Sequence, residues 1–130
     1  MNQYEGFNRL YQDFILTLIS YFPHNTQVLN KIQFYHELLE QFIKKDCRLP
    51  GRLFLSNVGM YAEYIFNKNE EYFKEIINTN STNCIEKTII NEWDNMSELQ
   101  KNNVWFYLQR LLIVLQNIDD DDDDSRQKQK

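Results

Sequence analysis

A chain of 130 residues has length for one domain; its 42% hydrophobic and 15% aromatic content excludes intrinsic disorder, and 3 Gly with 2 Pro argue against a turn-rich sandwich or barrel. The net charge of −5 divides into −3 from residues 119–130, six Asp against three bases, and −2 from residues 1–118, 13 acids against 11 bases. So nearly neutral a folded part lacks the basic excess that non-specific nucleic-acid binding uses.

Tyr4, Phe7, Tyr11, Phe14, Ile15, Leu18 and Phe22 recur at helical spacing until Pro23 ends the stripe. Asn25 or Thr26 caps a second helix, striped by Val28, Leu29, Ile32, Tyr35, Leu39, Phe42 and Ile43 and closed by Lys44 and Lys45. Cys47–Gly51 reads as a connector, with Pro50 suited to the first position of a short helix bearing Leu53, Phe54 and Val58. Gly59 interrupts it, and Met60–Phe66 is a further short helix. Asn69, followed by Glu70 and Glu71, starts another, with Tyr72, Phe73, Ile76 and Ile77 expected to face inward.

Residues 79–83 are a polar loop, and Ile85, Ile89, Ile90 and Trp93 mark a helix over Cys84–Trp93. Ser97 and Gln100 form a capping-box pattern before the longest apolar run. That run carries Val104, Tyr107, Leu108, Leu111, Leu112, Leu115 and Ile118, and Trp105, Phe106, Ile113 and Val114 widen it to most of the circumference. A helix so apolar belongs inside, packed by neighbours on several sides. No period-two alternation marks a strand. The expected fold is all-α: one compact bundle of five to seven helices over 1–118, its C-terminal helix central, with a disordered Asp-rich then basic tail over 119–130.

The motifs of catalysis are missing from the sequence. Two cysteines, Cys47 and Cys84, are too few for a disulfide framework or a Cys-based zinc site. His36 and Glu40 share a helix face but want a third metal ligand, so they read as a surface pair. Cys47 lies near Lys45 and Arg48 without a motif-placed histidine, so it reads as a bystander thiol. Gly51 and Gly59 stand outside any phosphate-binding pattern, and no serine has the nucleophile-elbow context. We therefore expect a non-enzymatic protein with no cofactor and no metal. Asn80-Ser81-Thr82 and Asn95-Met96-Ser97 match the glycosylation pattern by chance in an Asn-rich chain. Without a secretory pattern at its start or an apolar run long enough to span a bilayer, the chain reads as soluble and intracellular, its thiols reduced.

Two regions are candidate partner-binding sites. Trp105, Phe106, Tyr107 and Arg110 read first as core, with an exposed hot spot built on Trp105 and Arg110 as the alternative. Asp119, Asp120, Asp121, Asp122, Asp123 and Asp124 read first as a solvating run, with a basic partner surface as the alternative. Lys44, Lys45, Arg48 and Arg52 flank one helix–loop junction and form a candidate basic patch for nucleic acid.

The pattern Trp93…Leu99…Lys101…Val104-Trp105…Tyr107-Leu108-Gln109…Leu111…Leu115 adds a likeness. So do Phe22-Pro23…Asn25, Arg48-Leu49-Pro50…Phe54…Val58…Tyr61 and Asn69-Glu70-Glu71-Tyr72-Phe73. Together, over most of residues 7–118, they resemble small uncharacterised helical proteins of the large, or giant, DNA viruses of eukaryotes. The resemblance implies a viral origin, a single helical domain and a place in the virion or in the cytoplasm or nucleus of the host. It carries over no catalytic residue. The expected function is protein–protein interaction within a viral assembly, as virion component or accessory subunit. A nucleic-acid-associated accessory role is the alternative, and two-fold pairing through one flank of the last helix is a further option.

Overall fold

The computed structural model describes the backbone of residues 3–79 and 85–128 and the side chains of residues 3–75 and 85–118. Among the described residues the chain is all-helical. Seven α-helices, α1 (Gln3–Tyr21), α2 (Thr26–Lys45), α3 (Leu49–Val58), α4 (Ala62–Phe66), α5 (Glu70–Thr79), α6 (Ile85–Asn91) and α7 (Glu98–Lys128), are joined by short connections that include 3-10 turns at Gly59–Tyr61 and Trp93–Asn95.

Local chemistry sets the helix ends. The Asn25 side chain accepts from the Val28 backbone N–H at 3.2 Å and starts α2, as its cap position requires. Asn69 does the same for α5, accepting from Tyr72 N–H at 3.2 Å. Ser97 and Gln100 close the reciprocal capping box: the Gln100 side chain accepts from Ser97 N–H at 3.0 Å, and Ser97 Oγ accepts from Gln100 N–H at 3.1 Å. Pro50 lies in the first turn of α3, where its missing N–H removes no helical bond. Helix α4 ends in a Schellman turn. Asn69 N–H reaches Tyr64 O at 2.8 Å and Lys68 N–H reaches Ile65 O at 3.1 Å, with Lys68 in the left-handed region at φ 54°.

One apolar core joins these elements, running from Tyr4 and Phe7 through Phe54, Ile65, Phe73 and Trp93 to Leu115 and Ile118. Helix α7 packs along α1 and against α3 and α4, the central placement expected of it. Polar bonds fix the register. Thr17 Oγ1 lies 3.2 Å from Tyr107 Oη, Asn103 donates to Tyr21 Oη at 3.2 Å, and Gln109 donates to Ile65 O at 3.1 Å. Since Tyr21 meets Asn103 and Thr17 meets Tyr107, α1 and α7 run antiparallel. Asn8 of α1 donates to Cys47 O at 2.9 Å and ties the α2–α3 connection to the same body.

Three inward assignments are corrected. Tyr72 is 48% exposed and stacks on Tyr64, ring centroids 4.5 Å apart, because the cap at Asn69 turns the next residue, Phe73, onto Trp105 instead. Phe106 and Ile113 lie on a face of α7 that α1, α3 and α4 leave exposed. The loop expected at 79–83 lies outside the described residues apart from Thr79, the last residue of α5. The helical backbone of α7 continues to Lys128. The expected disorder of 119–130 falls on residues whose side chains are outside the description.

Candidate functional site

Helix α7 sorts the predicted hot spot by angle. Trp105 is 4% exposed, edge-on to Trp93 at 5.2 Å and tilted on Phe73 at 5.4 Å, so it is a core residue and not a contact for a partner. Tyr107 stacks on Phe14 at 5.0 Å and belongs to the α1–α7 seam. One residue on from Trp105 is about 100° round the helix, which puts Phe106 outside at 54% exposed. The Arg110 guanidinium, one turn later, lies over its ring at 5.5 Å. Leu99 and Ile113 stand seven residues to either side of Phe106 and are also exposed, at 71% and 44%. Two helical turns separate each pair, so the three align along one outer face with Arg110 beside them.

The four bases of the second candidate meet at the α2–α3 junction, all exposed, but an acid stands among them. Asp46 Oδ1 accepts from Arg48 N–H at 3.0 Å and lies 3.3 Å from Arg48 Nε. The backbone bond from Arg48, and then its guanidinium, hold the Asp46 carboxyl below the usual aspartate range. Arg48 is thereby engaged within the chain, and the charge of Arg52 also bears on Asp46, so the acid offsets part of the patch. Asp119, Asp120, Asp121, Asp122, Asp123 and Asp124 continue the backbone of α7, and their side chains are outside the description.

A third feature was not foreseen. A groove of about 380 Å³ opens between α2 and α3, with α1 and α6 beneath. Its walls are mostly apolar, Ile15, Leu38, Leu39, Phe42, Leu53 and Phe54 among them. Glu86, 1% exposed, is the most buried of its polar lining residues, and Tyr11 Oη donates to Glu86 Oε2 at 3.0 Å. Spacing gave no signal for it. Glu86 opens α6, where an acid is ordinary, and its tyrosine partner is 75 positions away.

His36 Nδ1 lies 3.7 Å from Glu40 Oε1 on the surface of α2, the pairing expected of them. Among the described residues no three His, Cys, Asp or Glu side chains gather as metal ligands, and no helix is long and apolar enough to cross a membrane. No family model, curated protein or solved structure matches the chain.

Proposed function

We propose that this protein is a non-enzymatic protein–protein interaction module that docks a partner along the outer face of α7. One observation carries the reading: Leu99, Phe106 and Ile113 form an exposed apolar row at seven-residue spacing, with Arg110 laid over Phe106. The row is about 21 Å long at 1.5 Å per residue, the reach of a partner helix of some four turns. Helices lie along such rows through apolar anchors at helical spacing, and aromatic and arginine side chains dominate interface energies. Asn102 and Asn117 on the same side supply a polar margin.

The setting proposed is viral, as virion component or accessory subunit of an assembly inside the host cell, on the strength of the packing-pattern resemblance alone. The test is capture by the tagged full-length chain from infected cells, with and without nuclease, beside a Phe106→Asp/Ile113→Asp variant whose helical circular dichroism is unchanged. A near-stoichiometric protein that survives nuclease and is lost from the variant supports the reading. Capture that nuclease abolishes, and that Lys44→Ala/Lys45→Ala weakens, would transfer the role to nucleic acid. Equal capture by both forms would remove α7 from the interface. Sedimentation of the same pair reads whether a second copy is the occupant, since self-association would then fail in the variant.

A further inference from the structure

We infer that the occupant of the outer face of α7 is a second copy of this chain, laid antiparallel with Phe106 on the two-fold axis. The inference rests on the docking reading above and names its partner. Leu99 and Ile113 stand seven residues to either side of Phe106, and all three are exposed. Turning the helix end for end about Phe106 therefore lays the row on itself. Phe106 meets its own counterpart, and Leu99 of each copy meets Ile113 of the other. Such a face is self-complementary, which is what an isologous interface requires. Sliding one copy by a heptad leaves one residue of each row without a facing member, so the symmetric register is the one that engages both rows fully. A different partner would have to bring a matching row, and this chain already carries one.

Charge selects the antiparallel sense. A parallel pair would set the two runs Asp119–Asp124, which follow on the same helical backbone, side by side at the roughly 8–10 Å spacing of packed helices, about one Debye length. In the antiparallel pair each run begins thirteen residues beyond Phe106, so the two start about 39 Å apart along the helices, several Debye lengths. The two Arg110 residues stand one turn to either side of the axis, about 12 Å apart, instead of level with each other. Each guanidinium lies over its own Phe106 ring, 5.5 Å from the centroid, and flanks the aromatic pair at the axis. The row is about 21 Å long and one side chain wide, so the contact falls short of the roughly 800 Å² per partner of a stable complex. The pair is a dissociating one, with a Kd of the order of 10 µM.

The test is sedimentation of the full chain from about 1 µM to about 1 mM, where its mass should climb from that of one copy toward that of two. Leu99→Lys and Ile113→Asp, both at exposed positions, are then run singly and mixed. Alone, each variant sets two charges against apolar partners in the antiparallel pair and should associate at least tenfold more weakly than the natural chain. Mixed in equal amounts, they form a pair in which the new lysine faces the new aspartate at one end and the natural Leu99 faces Ile113 at the other, so association should return. A parallel pair offers the mixture no such match. Unchanged helical circular dichroism of both variants shows that the face, and not the fold, has been altered. A natural chain that stays monomeric at about 1 mM, or a mixture no heavier than its separate components, would overturn the proposal. In either event the capture of a different protein, lost from Phe106→Asp/Ile113→Asp, would leave the docking reading standing, so the two fail separately.

Discussion

Gly51 and Gly6 are both helical glycines, and their surroundings give them opposite roles. A Cβ at Gly51 would lie 2.8 Å from Leu115 Cδ2 and 3.1 Å from Tyr4 Cε1. Both neighbours are buried, so the leucine has little room to swing and the tyrosine ring must shift with it. The glycine thus lets α3 approach α1 and α7 closely. A Cβ at Gly6 meets nothing within 4 Å, and there the residue only loosens α1. We expect Gly51→Ala to destabilise the fold by about 1–3 kcal/mol, the usual range for overpacking. Gly6→Ala should stabilise by about 0.5–1 kcal/mol through helix propensity. Urea denaturation of the two variants measures both. If Gly51→Ala equals the natural chain, the α3 crossing is looser than its geometry states.

At the scale of elements, caps govern where helices start and core contacts govern which way they face. The reciprocal bonds of Ser97 and Gln100 satisfy two N–H groups that α7 would otherwise expose. Ser97→Ala should therefore cost about 1 kcal/mol, read as a lower urea midpoint at unchanged slope; an unchanged midpoint would mean that solvent replaces the cap. Such bonds span three residues, which is why the starts of α2, α5 and α7 were legible in the sequence. Stripes were legible for the same reason where one side is polar, as in α1 and α2. Helix α7 is apolar almost all round, so periodicity could not choose between Trp105 and Phe106. Trp93 and Phe73, from other elements, make that choice. Tyr72 illustrates the same limit, since Tyr64 holds it outside. The groove was invisible because its walls come from four helices and its carboxylate answers a tyrosine far away in the chain.

At the scale of the molecule, charge and core divide at the same place. Among the described residues the core cluster ends at Ile118, and from Asp119 onward the chain carries −3 of its −5. A cut after Ile118 keeps every side chain of the described core, whereas a cut before Leu115 takes two of them and opens the α3 crossing at Gly51. If the domain is 1–118, the shortened chain should unfold in one cooperative step within about 0.5 kcal/mol of the full one, as changes away from the core do. Removing the Asp run also lowers repulsion, since six like charges sit in succession. Any difference should therefore shrink as salt rises past the point where the Debye length falls below about 8 Å. Thermal and urea unfolding of the chain ending at Ile118, at low and high salt, supply the measurement. A salt-independent loss above about 1 kcal/mol would make 119–130 part of the fold and move the domain boundary beyond Ile118.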